Sequence, residues 1–294
     1  MPEGPEVFVI TKQLNQNCSN WELKKIDLVS GPHITSQLTN FKTFRRNVKA
    51  FNLLAESESV VISKVLCKGK YIYFELTITK NNVKQYRYLV NHLGMAACWT
   101  LEEGNHTAVV LELEQDGLSK YVYFDDEQHF GKFYLLNTAQ MEALLKKLGP
   151  SVLAKSFTLE LFLLRAKLYA KMRPNQTICL LLLDQSFVSG IGNYLRSDIL
   201  YVAKIYPFRQ LKDMTNEDWI GVYHATIDRI KASIKAGGTT IENYYDMNGE
   251  EGKYDTLVYD KDVDANNNKV KPEADREGKN ARTIHWVPKV QKYR

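Results

Sequence analysis

Apolar positions recur along this chain with two different periods, and the switch between them divides it. A first helix is predicted from Gly4, with Pro5 at a first-turn position that needs no N–H. Val7, Ile10 and Leu14 then fall on one face. From Glu22 to about Leu136 the pattern is strand-like. Residues 70–78, 107–113 and 120–124 are rich in β-branched and aromatic types, and polar clusters at 80–82 and 114–117 mark turns. One helix followed by many strands predicts a β-sandwich with a helix packed at its side.

After Thr138 the period becomes helical. Thr138 is expected to cap a helix running through Met141, Leu144 and Leu148 to Gly149-Pro150. Further helices are expected over 158–171 and 176–185, and from Asn193. A longer one starts at Thr215, with Asp218 three residues on as its capping partner, and runs to Gly237-Gly238. Trp219, Val222, Ile230 and Ile234 form its apolar face. The tail from about Tyr254 returns to short strands around a polar turn at 264–268. The expected fold class is α+β: an N-terminal β-sandwich with flanking helices (1–136), a linker helix (137–150), a helical domain (151–253) and an antiparallel β-hairpin (254–294).

Composition narrows the partners. No apolar run among the 294 residues approaches the ~20 that a membrane helix needs, and the acidic start lacks the plan of a signal peptide. A soluble, intracellular protein is expected. A net charge of +5 suits a polyanion, although charge alone does not decide the matter. The four cysteines, Cys18, Cys67, Cys98 and Cys179, lie too far apart for a zinc site. Buried free thiols are expected, with no metal and no cofactor.

Two stretches carry candidate chemistry. Removal of Met1 would leave Pro2 with a free secondary amine, in front of a helix N-terminus that disfavours the ammonium form. Such an amine can attack a sugar C1′ to give a Schiff base, with Glu3 and Glu6 as nearby carboxylates for proton transfer. A Pro-Glu start is by itself a weak signal, since most chain ends are merely frayed. The second stretch is 180–196, where an apolar helix ends near Gln185, Gly190 and Gly192 turn the chain, and a new helix opens at Asn193. Its first N–H groups and the Asn193 side chain form a candidate anion site.

Taken together, several strings resemble the formamidopyrimidine-DNA glycosylase and endonuclease VIII family. They are Met1-Pro-Glu-Gly-Pro-Glu-Val7, Lys68-Gly-Lys-Tyr71, His92-Leu-Gly-Met95, Phe130-Gly131 and Leu148-Gly-Pro150. The Leu-Leu-Asp-Gln…Gly-Ile-Gly-Asn-Tyr-Leu-Arg196 string and Gly237-Gly-Thr-Thr-Ile241 continue the series, which spans nearly the whole chain. The resemblance implies a helix–two-turn–helix domain over 151–253 and a bifunctional glycosylase/AP lyase that acts on duplex DNA containing oxidised bases or abasic sites. It implies Pro2 as the nucleophile, Glu3 as the general acid/base and Lys70 as a third catalytic residue. Lys70, Asn193 and Arg282 would contact phosphates, Lys70 beside the lesion. The base must be flipped out of the stack, and Met95, Gln128 and Phe130 would fill the space it leaves.

Two departures from the family pattern bear on specificity. Gln128 stands where the formamidopyrimidine branch carries an arginine, which predicts weaker preference for cytosine opposite the lesion. No cysteine follows Cys179, so the C-terminus resembles the zincless finger of the endonuclease VIII-like branch. Leu257, Val258, Tyr259, Ile284 and Trp286 are expected to hold that hairpin by packing. The resemblance favours oxidised pyrimidines and formamidopyrimidines, with 8-oxoguanine secondary and with strand cleavage by β,δ-elimination. The segment after Gly238, through 242–253, resembles the lesion-capping loop of the 8-oxoguanine branch. A monomer is expected. The alternative is a non-catalytic DNA-binding protein of the same fold. An N-terminal-proline tautomerase fits poorly, because it would leave the phosphate clamp unexplained.

Overall fold

The computed structural model describes residues 2–240 and 244–292. Expectations that touch Met1 or residues 241–243 lie outside the described residues. The chain forms two compact units, one of Met1–Pro2, Glu6–Lys146 and Ile241–Gly252, the other of Glu3–Pro5, Lys147–Thr240 and Lys253–Arg294.

The first unit is built on an eight-stranded antiparallel sheet. After α1 (Gly4–Cys18) come β1 (Glu22–Leu28), α2 (Pro32–Thr35), α3 (Thr39–Ser57) and β2 (Ser59–Lys68). Then follow β3 (Tyr71–Lys80), β4 (Val83–His92), β5 (Cys98–Thr100), β6 (Thr107–Gln115), β7 (Leu118–Asp125), β8 (Lys132–Asn137) and α4 (Thr138–Lys146). The sheet order is β5-β7-β6-β1-β2-β3-β4-β8. Its two ends meet face to face: Phe133 of β8 sets its ring edge-on to Phe124 of β7 at 4.8 Å and to Trp99 of β5 at 5.8 Å. The sheet therefore closes over itself as a sandwich, filled by alternate residues such as Ile72, Phe74, Leu76 and Ile78 of β3. Val7, Ile10 and Leu14 of α1 belong to the same core. Left-handed Asn81 and Asn82 turn β3 into β4, and Asp116 and Gly117 turn β6 into β7, as the polar clusters predict.

The strand-like reading of 22–136 misses α2 and α3. Phe44, Val48, Phe51 and Ala55 bury one helical stripe of α3 among polar residues. Arg45 joins the two helices, donating to Ser36 O at 2.7 Å and His33 O at 3.2 Å. The start of α4 also differs from expectation. Its cap is Asn137, whose Oδ1 accepts from Gln140 N at 2.9 Å while Gln140 Oε1 accepts from Asn137 N at 3.0 Å. This reciprocal pair is a capping box one residue earlier than Thr138. The helix stops at Lys146, short of Leu148, ahead of the Gly149-Pro150 break.

The second unit contains α5 (Leu159–Met172), α6 (Ile178–Leu183), α7 (Asn193–Val202) and α8 (Asn216–Lys235). Thr158 caps α5, and Thr215 and Asp218 form the expected box on α8. Phe162 of α5 stands 5.6 Å from Phe187 and 6.1 Å from Trp219, the centre of an aromatic cluster. The antiparallel hairpin pairs β9 (Lys271–Ala274) with β10 (Thr283–Trp286). Residues 254–259, expected as the hairpin's other strand, form an irregular segment instead. The reason is a side chain that takes their N–H groups out of any ladder, Asp198 of α7, which accepts from Leu257 N at 3.0 Å and Val258 N at 3.1 Å. Val258 packs with Val270 and Val287, and Ile284 is inaccessible to solvent.

All four cysteines are free thiols. Cys18 and Cys179 are buried as expected, whereas Cys67 and Cys98 are only half-buried. Among the described residues no helix is long and apolar enough to cross a membrane, and no group of three His, Cys, Asp or Glu side chains could hold a metal ion.

Candidate active site

Residues 2 and 3, just ahead of α1, and Glu6 in its first turn are the candidate catalytic groups. Pro2 and Glu6 are buried in the first unit, Glu6 completely. Tyr244, buried in the same core, has its hydroxyl raised above the ordinary tyrosine range by burial and then by the charges of Glu6 and Asp246. The segment after α8 is tied to α1 by Gln13, which donates to Asp246 Oδ2 at 2.6 Å and accepts from Met247 N at 3.1 Å.

Glu3 lies in the second unit, and its carboxylate sits on the N-terminus of α7. Oε2 accepts from Gly192 N at 2.6 Å and Leu195 N at 3.3 Å, and Oε1 accepts from Tyr194 N at 3.0 Å. Gly4 N donates to Gly190 O at 2.8 Å, and a Cβ on Gly4 would stand 3.0 Å from that oxygen. The two-turn loop thus closes around the start of the chain. The expected anion site at the helix N-terminus exists, but its occupant is this chain's own carboxylate. The Asn193 side chain remains available to an outside anion. Its Nδ2 donates to Thr283 O at 3.0 Å, leaving one amide hydrogen, and its buried Oδ1 has no hydrogen-bond partner among the described residues. That bond brings Asn193 beside β10 and the exposed Arg282.

Lys70 occupies the turn between β2 and β3, after left-handed Gly69. His92 is nearby, its ring 5.3 Å from that of Tyr71. Burial, with the charges of Lys70 and Lys132, lowers the His92 pKa to about 4. Its neutral Nδ1 accepts from Gly94 N at 3.2 Å and so shapes the loop that carries Met95. The second loop, residues 126–131, closes on the fully buried Asp126, whose Oδ2 accepts from Gly131 N at 2.7 Å. The two loops touch: a Cβ on Gly94, at φ 77°, would stand 2.6 Å from the carbonyl carbon of Phe130. The loops that carry Met95 and Phe130 therefore lie side by side, both residues are exposed, 45% and 53%, and Gln128 is exposed as well.

Residues 1–133 match the model of the formamidopyrimidine-DNA glycosylase N-terminal domain, and residues 148–244 match that of its H2TH domain. The formamidopyrimidine-DNA glycosylase of Desulforamulus reducens is 30% identical over 257 residues, covering 86% of this chain and 85% of that protein. The chain belongs to the formamidopyrimidine-DNA glycosylase family. The crystal structure of the MutM (Fpg) protein from Thermus thermophilus superposes with a TM-score of 0.77 at 25% identity, covering 99% of this chain and 98% of that one. The Lactococcus lactis Fpg in complex with DNA containing an abasic site shares the fold, with a TM-score of 0.77 at 22% identity over 99% of this chain and 100% of that one.

Within this glycosylase fold, sequence reasoning missed the polar residues that hold the candidate site: Gln13, Asp126, Arg196, Asp198 and Asp275. One signal was present for two of them. Arg196 and Asp198 are charges inside the helix opened by Asn193, flanked by the apolar Leu195, Ile199 and Leu200, and both are fully buried. A charge in that setting needs a partner.

Proposed function

We propose that this protein is a bifunctional DNA glycosylase and AP lyase of base excision repair, with the Pro2 amine as nucleophile. The single observation that carries the reading is the Glu3 carboxylate held by three backbone N–H groups at the N-terminus of α7, which fixes the chain one residue after the amine. With Met1 removed, the Pro2 nitrogen attacks C1′ of a flipped nucleotide and the base leaves. The C1′–O4′ bond then opens as O4′ takes a proton, and because the nitrogen is secondary the ring-opened adduct is an iminium cation, which acidifies C2′–H. Glu3 shuttles the protons. Loss of the C2′ proton expels the 3′ phosphate, a second elimination expels the 5′ phosphate, and water returns the amine.

The substrates are oxidised purines in duplex DNA, ring-opened formamidopyrimidines foremost. This moves weight from the oxidised pyrimidines that the branch resemblance favours. Lys70, Asn193 and Arg282 bind phosphates around the lesion, and Met95, Gln128 and Phe130 fill the vacated space. Glu6 is a supporting carboxylate. The hairpin that ends the chain acts as a finger without metal, in the manner of the endonuclease VIII-like branch, and the protein works as a monomer in a DNA-containing intracellular compartment. In functional terms, residues 1–136 serve catalysis, 137–150 link, 151–253 bind DNA and 254–294 form the finger. With Gln128 in place of an arginine fork, cleavage opposite cytosine and opposite guanine should agree within a few-fold.

Borohydride trapping on a duplex with one abasic site or one formamidopyrimidine tests the reading. The native protein, with Met1 loss verified by intact mass, should form a covalent adduct. A Pro2→Glu variant, whose bulky second residue retains Met1, should form none. Absence of adduct from processed protein that still binds the duplex would establish a non-catalytic damage-binding protein of the same fold.

A further inference from the structure

The finger must present Arg282 at a fixed place, and no cysteine follows Cys179 to fix it through a metal. The turn between β9 and β10 closes on one carboxylate. Asp275 Oδ1 accepts from Arg282 N at 2.9 Å, and Asp275 N donates to Arg282 O at 2.9 Å. The other oxygen, Oδ2, meets Arg196 Nη1 of α7 at 2.7 Å, with both side chains at 0% exposure. Arg196 Nη1 also reaches Cys179 O of α6 at 3.2 Å. One buried ion pair therefore links α6 and α7 to the residue that carries the finger guanidinium. Two lighter ties run alongside it, Asn193 Nδ2 to Thr283 O at 3.0 Å and His285 N to Ser197 Oγ at 3.4 Å.

This pair is poorly explained as a device for stability. Arg196 Nε and Nη2 are buried with no hydrogen-bond partner among the described residues. A desolvated guanidinium that satisfies only part of its fork is costly, and apolar residues of similar volume often do as well or better. What apolar packing would not supply is a directional bond to a single backbone N–H, the one belonging to Arg282. Asp275 stays charged for this purpose: burial acts to raise its carboxyl, but hydrogen bonds from Arg282 N–H and Arg196 outweigh that and hold it below the usual carboxylate range.

We propose that Asp275, through its buried ion pair with Arg196, is a positioning residue for Arg282, fixing the place from which the finger guanidinium acts. The inference rests on reading Arg282 as a phosphate contact. Asp275 touches no DNA; it acts through the arginine.

A double-mutant cycle tests this, with binding to a duplex carrying a tetrahydrofuran abasic analogue followed across KCl concentrations. Arg282→Ala should weaken binding about tenfold and lower the slope of log Kd against log salt by about 1, the signature of one lost phosphate contact. Asp275→Asn should do nearly the same, and the two together should cost little more than Arg282→Ala alone. Single-turnover adduct formation at saturating DNA should stay within about twofold for Asp275→Asn, separating affinity from chemistry. Arg196→Lys, which keeps the buried charge but shortens its reach, should repeat the pattern more weakly and carries the cycle if Asp275→Asn does not fold. Additive losses, or an unchanged salt slope in a folded variant, would overturn the positioning role while leaving Arg282 as a phosphate contact. A silent Arg282→Ala would overturn both.

Discussion

In β3 the residues at 72, 74, 76 and 78 are buried and their neighbours face outward, whereas in α7 all seven residues from Tyr194 to Leu200 are buried, Arg196, Ser197 and Asp198 among them. The first unit takes its order from apolar alternation and aromatic contacts within a sandwich. The second takes a large part of its order from polar side chains of one helix, each with a specific address. Glu3 caps that helix, Asn193 and Ser197 hold β10, Arg196 holds the finger turn, and Asp198 holds residues 254–258. Apolar contacts tolerate substitution when volume is kept. Directional polar contacts do not, because the partner is left buried and unsatisfied.

That contrast predicts unequal responses to mild substitutions. Asp198→Leu would strand Leu257 N, Val258 N and the Tyr254 hydroxyl, which donates to it at 2.9 Å. A loss of about 3–5 kcal/mol in urea denaturation is expected. Leu76→Met in the sandwich core should cost under about 1.5 kcal/mol. Equal losses would erase the distinction drawn between the two units.

The first unit has its own polar exception, which sharpens the comparison. His33 is 2% exposed, edge-on to Phe41 and Phe133 at 5.4 and 5.5 Å, and its Nδ1 has no hydrogen-bond partner among the described residues. Burial, then His129 and Arg45, lowers its pKa from 6.5 to about 4. The unfolded chain therefore binds the proton first as pH falls, and stability declines between about pH 6.5 and pH 4. The contribution is on the order of 3 kcal/mol, complete only above the unfolded value. His33→Phe should remove that part of the decline in denaturation curves taken at pH 7 and pH 4. His92, shifted over the same window, should keep some slope in place.

How far the fold can be read from sequence follows the same division. The helices α1, α5, α7 and α8 and the strands β3, β6 and β7 follow from periodicity and caps, because apolar burial is a property of each segment's own residues. The strings around Pro2, Asn193 and Met95 were legible through family likeness. What stayed hidden depends on distant partners. Helix α3 was masked by its polar face, residues 254–259 were drawn out of a strand by Asp198, and the anion site at α7 was filled by Glu3 from the far end of the chain. No local pattern in 271–286 announces that Asp275 meets Arg196, 79 residues away.

A smaller effect tests whether local polar order in the first unit is as modest as the comparison implies. Asn137→Ala removes the acceptor for Gln140 N at the start of α4. The loss should be about 1 kcal/mol in the same denaturation assay, the usual worth of a helix cap. A loss several times larger would mean that Asn137 is part of a wider network like that of α7.

The smallest expected change in stability is also the most telling about function. Phe130 is a large apolar side chain left 53% exposed at the end of a loop whose backbone is closed by Asp126 and packed against Gly94. Because the loop's shape rests on those contacts and not on the ring, Phe130→Ala should alter stability by no more than about 0.5 kcal/mol. Exposed aromatic surface that the fold does not use is available to a partner, and a flipped nucleotide leaves a gap of the right character for it. Strand cleavage at a formamidopyrimidine should fall about tenfold in Phe130→Ala, while trapping at a preformed abasic site falls less, since no base remains to be unstacked there. If stability drops with activity, the ring is structural and the loop's role in filling the helix is lost with it. If activity holds while stability holds, the exposed ring serves some other surface, and the vacated space is left to Met95 and Gln128.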